Sequence, residues 1–202
     1  MSPDERRVVS PWNIANVLTV VRLALVPFFV SCLFVPGTGW RFAALGVFVV
    51  ASITDHLDGE LARRYHLVTD FGKIADPIAD KALTGAALVS LSLLGELPWW
   101  VTVVIITREF GITLLRLLLI RRAVIPASYG GKVKTALQIA AIILYILPGV
   151  PDPLRWVVMG AAVLVTIGTG VDYVIRAIKL RSVAEQARAD RDRADRDHVE
   201  NS

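Results

Sequence analysis

The 202-residue chain is 54% hydrophobic, carries a formal charge of +4 and has a mean hydropathy of +0.57. An ordinary soluble domain needs a largely polar exterior, so this composition excludes one and points to a bilayer as the solvent. The excess of Lys and Arg matches the cytoplasmic loops of membrane proteins, and with so few polar segments to present a basic patch, no nucleic-acid partner is expected.

Residues 1–16, beginning MSPDERRVVSPWN, are polar and form an N-terminal cytoplasmic or interfacial segment in which Val8, Val9 and Trp12 could rest on the membrane. No signal peptide is expected, because the first apolar run contains Arg22 and no A-x-A-like cleavage site follows it. Six apolar stretches then begin near Val17, Phe42, Ile74, Trp99, Lys134 and Leu154, each a candidate to cross about 30 Å of hydrocarbon. Breaks fall at 36–40, 63–73, 95–98, 121–132 and 148–153, where Pro, Gly or charge interrupts the pattern. The expected fold is all-α and polytopic, with six transmembrane helices in one membrane domain over 17–180. Beyond it, the tail 181–202 alternates Arg and Asp with almost no apolar stripe, and reads as a solvated helix or a disordered end. Cys32, the single cysteine, lies in an apolar run and can form no internal disulfide.

Basic residues set the orientation. Arg6 and Arg7, then Arg63, Arg64 and Lys73, then Arg121, Arg122, Lys132 and Lys134, and finally Lys179 and Arg181 fall on one side of six spans. The positive-inside rule places that side, with both termini, in the cytoplasm of a cell-membrane protein. Trp40, Trp99, Trp100 and Trp156 mark the opposite interface, where amphipathic rings settle.

Against this apolar background four carboxylates stand out. Asp55 and Asp58 are three apart near the cytoplasmic end of the second helix, and Asp76 and Asp80 are four apart at the start of the third. Those spacings put each pair on one helix face, and antiparallel neighbours joined by a short loop can bring the faces together. A carboxylate within a span costs several kcal/mol unless a polar cavity receives it, and several together repel unless protonated or met by cations. Hard oxygen donors of this kind suit Mg²⁺ or Mn²⁺. Charges at helix ends paired with Arg63, Arg64 and Lys73 are the plainer alternative. Gly59 and Gly72, where backbone can be approached closely, Ala62 on an open face, and the guanidinium of Arg63 favour phosphoryl-transfer chemistry.

Residues 55–80 read DHLDGELARRYHLVTDFGKIADPIAD and match D-x-x-D-G-x-x-A-R-x8-G-x3-D-x3-D at all eight fixed positions. This resembles the signature of the CDP-alcohol phosphotransferase family. The resemblance implies a six-helix membrane bundle, usually dimeric, in which a CDP-linked donor meets two divalent ions. Carried onto this chain, it makes Asp55, Asp58 and Asp76 principal metal ligands and gives Asp80 both metal contact and the role of general base. Gly59, Ala62, Arg63 and Gly72 would shape and hold the CDP moiety. The acceptor hydroxyl would then attack the lipid-bearing phosphorus in line as CMP departs.

The acceptor must be read from the other helices. Arg108 and Glu109 lie well inside the fourth span and need partners, and Arg116 lies nearer its cytoplasmic end. A mutual ion network is one reading; the other is that Arg116, Lys132 and Lys134 bind an acceptor phosphate. ITREFGITLLR, YGGKVKTALQ and NIANVLTVVRLALVP, the last with Asn16, Thr19, Arg22 and Pro27, resemble the family's bacterial phosphatidylglycerophosphate synthase subgroup. That resemblance spans roughly residues 13–140 and implies CDP-diacylglycerol as donor and sn-glycerol 3-phosphate as acceptor. Cardiolipin synthase and phosphatidylinositol phosphate synthase are the alternatives within the family, and Lys134 speaks against the first, which tends to have Asn there. An ion-coupled transporter would also carry intramembrane acids, yet no repeat relates the two halves and the acids gather at one end. The G-K-x-K-T string lacks the spacing of a nucleotide P-loop.

Overall fold

The computed structural model describes the backbone of residues 14–64, 70–119 and 129–200, and the side chains of 17–54, 81–114, 131–175 and 178. The described residues form six helices: α1 Ile14–Phe34, α2 Thr38–Arg64, α3 Asp70–Leu93, α4 Trp99–Leu119, α5 Tyr129–Ile146 and α6 Asp152–Glu200. No strand occurs among the described residues. Each helix starts between zero and five residues ahead of the apolar run that announces it, because polar first turns add nothing to a hydropathy pattern. Only α4 begins where expected, at Trp99, directly after Pro98. The polar stretch 63–73, expected as a break, is helical at both ends, since α2 runs to Arg64 and α3 starts at Asp70. The tail resolves in favour of helix: α6 passes through position 180 without interruption and continues to Glu200.

The three connections at 35–37, 94–98 and 147–151 are short and lie at one end of the bundle. After α3 the chain turns through Gly95, whose φ of 75° suits a residue without a Cβ. The amide of Glu96 donates to the carbonyl of Leu91 at 3.0 Å, and that of Gly95 to Ser92 at 3.1 Å, a pair of bonds that satisfies the last helical carbonyls. Glu96 is also ion-paired with Arg41 at the start of α2, the Nη1 to Oε2 distance being 3.1 Å. Trp40, Trp99, Trp100 and Trp156 surround this same end, each about half exposed.

Helix α1 packs against both α2 and α3, which touch each other only lightly; α5 lies along α6, and α4 bridges α3 and α6. Phe29 of α1 and Phe48 of α2 are fully buried, with ring centroids 5.7 Å apart, and Leu88, Ile105, Ile142 and Met159 extend the core across the other helices. The exterior is equally apolar: Phe28, Val50, Phe110, Val157 and Leu164 are between 53% and 72% exposed. A surface of that kind belongs in lipid. By length and composition, Val17–Phe34 and Asp152–Ile175 qualify to cross a bilayer, and Thr38–Thr54 and Lys81–Leu93 form shorter apolar stretches.

Because lipid is as apolar as leucine, packing rather than water exclusion holds such helices together. Phe48→Ala is therefore expected to lower stability by roughly 3 kcal/mol through lost contacts. Val157→Ala, at a side chain 69% exposed, should change little. Thermal denaturation of both variants in detergent checks the contrast, and equal effects would contradict this account of the core.

Candidate active site

The second helix carries its acids because it outlasts its apolar stretch: Asp55, Asp58, Gly59, Ala62 and Arg63 occupy its final three turns. In α3, Gly72 is in the first turn, and Asp76 and Asp80 follow in the second and third. Asp58 stands six residues before the end of α2 and Asp76 six residues after the start of α3, so each lies about 9 Å along its axis from the 65–69 connection. The backbone thus sets the two acid pairs at matching depth from one end of the bundle. Carboxylates are hard oxygen donors of the kind that divalent ions take. Beyond this backbone placement, Asp55, Asp58, Gly59, Ala62, Arg63, Gly72, Asp76 and Asp80 lie outside the described residues, as does Arg116.

Side chains are described from Lys81 to Leu114 and again from Gly131 to Ile175, and among them a cluster forms beside the acids. Glu109, at the middle of α4, accepts from Lys81 of α3 at 3.4 Å and from Arg108 at 3.2 Å, and is ion-paired with Lys134 of α5. Arg108 donates its other terminal nitrogen to Thr169 of α6 at 2.9 Å, so one carboxylate links four helices. Lys134 is 5% exposed and Gln138, one turn further on, 3%. Both line a cavity of about 50 Å³ with Lys81, Thr84, Glu109 and Thr135. Roughly 10 to 15 Å³ is enough for a single water, so the cavity admits a small polar group. Lys81 follows Asp80 directly, and Thr84 lies one turn beyond it, which puts the cavity next to the signature on α3.

Of the residues expected to hold an acceptor phosphate, Lys134 turns into this cavity, whereas Lys132 is exposed. Two positions on a helix are about 200° apart, so the structure places these two lysines on different faces. The network reading of Arg108 and Glu109 is realised, with Lys81 and Thr169 as members, and Gln138 as a buried neighbour in the cavity wall, that sequence reasoning did not single out. Adjacency to Asp80 was the one available signal for Lys81; a polar residue one helical turn from Lys134 was the signal for Gln138. Nothing local marks Thr169, which reaches Arg108 only because α4 packs on α6. Gly170 helps that approach, since a Cβ there would come within 3.3 Å of the Arg108 stem. In α1, Thr19 and Arg22 are 1% and 2% exposed, and neither is without a partner.

Comparison with known proteins agrees with the signature. The chain is 55% identical over 173 residues to a Mycobacterium tuberculosis (strain CDC 1551 / Oshkosh) protein named probable phosphatidylglycerophosphate synthase, covering 83% of this chain and 82% of that one. It is 37% identical over 180 residues to the Bacillus subtilis (strain 168) CDP-diacylglycerol–glycerol-3-phosphate 3-phosphatidyltransferase, covering 80% and 93% of the two chains. To the Escherichia coli (strain K12) protein of that same name it is 41% identical over 137 residues, 65% and 75% of the two chains. The family model described as CDP-alcohol phosphatidyltransferase matches residues 12–168, from the start of α1 well into α6. Enzymes of that description are membrane proteins with a polytopic helical fold and depend on a divalent metal. With its signature intact and most of its length matched, this chain belongs to the CDP-alcohol phosphatidyltransferase family.

Proposed function

We propose that this enzyme transfers the phosphatidyl group of CDP-diacylglycerol to sn-glycerol 3-phosphate, giving phosphatidylglycerol phosphate and CMP. The observation that carries the reading is the likeness, over four fifths of the chain, to relatives named for that product and that reaction. The buried cation cluster beside the signature supports it, because a phosphorylated acceptor needs a fixed positive partner close to the base that deprotonates its hydroxyl.

Asp55, Asp58, Asp76 and Asp80 hold the divalent ions, two of Mg²⁺ or Mn²⁺. When bound, the ions neutralise the diphosphate and ease departure of CMP. Arg63 grips the donor phosphate, while Gly59, Ala62 and Gly72 leave room for the nucleotide. Lys134, with Arg116, receives the acceptor phosphate in the cavity, and Lys132, on another face of α5, adds positive charge outside it. Asp80 takes the proton of the acceptor hydroxyl, whose oxygen attacks phosphorus in line; the phosphorus–oxygen bond to CMP breaks, and CMP carries away the electron pair. The enzyme crosses the membrane six times as a homodimer. Its acids and both termini lie on the cytoplasmic side, and the tryptophan-lined end lies on the other.

Purified protein supplied with CDP-diacylglycerol and Mg²⁺ is expected to release CMP when given glycerol 3-phosphate, and not with phosphatidylglycerol, inositol phosphate or water alone. Release only with one of those other acceptors would reject the assignment.

A further inference from the structure

Three cations converge on Glu109, a single carboxylate 16% exposed. An ammonium has three N–H donors. Among the described residues, Glu109 is the one hydrogen-bond partner of the Lys134 ammonium, which lines the cavity and is almost entirely removed from solvent. Without that partner a lysine at this depth would stretch toward the nearest interface, as long cationic side chains in membranes do. With it, the remaining N–H groups stay in the cavity. The same carboxylate holds Lys81, the residue after Asp80, so one side chain ties the α3 register at the base to the position of the cation on α5.

We propose that Glu109 is the positioning residue of the acceptor site, aiming Lys134 into the cavity beside Asp80 so that the phosphate of a phosphomonoester acceptor meets a fixed ammonium. The proposal rests on the glycerol 3-phosphate reading above. Glu109 touches neither substrate in this scheme; it acts through Lys134 and Lys81. Its removal accordingly affects the acceptor and spares the donor, whose nucleotide is assigned to Gly59, Ala62, Arg63 and Gly72, the last of them nine residues before Lys81 along α3. A purely structural ion network would instead lower stability and harm both substrates alike.

The test is a steady-state comparison on the full-length protein, following CMP release while each substrate is varied in turn. E109Q is expected to raise the KM for glycerol 3-phosphate about tenfold, the size of one lost charge-assisted hydrogen bond, with the KM for CDP-diacylglycerol changed less than about twofold. E109D, which keeps the charge on a shorter stem, is expected to fall between wild type and E109Q. An unchanged acceptor KM in E109Q, or equal rises for both substrates, overturns the proposal. If E109Q does not accumulate, E109D alone decides: a several-fold rise confined to the acceptor supports it and an unchanged acceptor KM overturns it. Wild-type protein that releases no CMP with glycerol 3-phosphate overturns the functional reading together with this inference, whereas normal wild-type turnover with an indifferent E109Q overturns this inference alone.

Discussion

Asp80→Asn is expected to slow CMP release by about 10²- to 10⁴-fold, the range that a positioned general base contributes, while CDP-diacylglycerol still binds. Asn has nearly the same shape and retains an oxygen that can face a cation, but it cannot accept a proton near neutral pH. The loss should therefore fall on kcat more than on the donor KM, as expected for an interaction made only when the hydroxyl is attacked. Turnover measured by CMP release, beside equilibrium binding of labelled CDP-diacylglycerol, separates the two effects. Wild-type turnover in this variant would take Asp80 out of its assigned role; loss of donor binding would make it a metal ligand first and a base second.

The second large effect is expected at Asp58. Two like charges roughly 4 Å apart repel by about 4 kcal/mol at an effective dielectric of 20, so four carboxylates drawn to one place hold together only around cations. Removing one donor weakens the site for the ion more than it relieves the repulsion, because hard divalent ions gain most from the number of charged oxygens around them. Asp58→Asn should raise the Mg²⁺ concentration for half-maximal rate by at least about tenfold, and stripping divalent ions from the wild type should abolish CMP release until Mg²⁺ or Mn²⁺ is restored. A titration of rate against metal in both proteins gives the comparison. An Asp58→Asn enzyme with the wild-type metal requirement would mean that this carboxylate serves another purpose.

The parts of this protein written in short-range pattern were readable from its residues. Six helices follow from six apolar runs, and the phosphoryl-transfer chemistry from eight spaced positions between Asp55 and Asp80. Helix ends were harder, since hydropathy weighs side chains while a helix is propagated by backbone hydrogen bonds; hence α2 carries on through Arg63 and α5 begins at Tyr129, five residues before Lys134. Partnerships between distant residues were out of reach. Glu109 and Lys134 are 25 positions apart and Arg108 and Thr169 are 61 apart, and both pairs depend on which helices pack together. The two lysines of G-K-x-K-T invited a joint role by proximity in sequence, but the rotation of a helix sends Lys132 outward and Lys134 inward.

The unbroken sixth helix has a mechanical meaning. At about 1.5 Å per residue its 49 residues measure about 73 Å, more than twice the roughly 30 Å of a hydrocarbon core. Its far portion is therefore a mast rooted in the packed bundle, with no joint at the lipid boundary. Residues up to Glu200 share the tilt of the buried part, and each residue added or deleted along the shaft turns the remainder of the helix by about 100° around the axis.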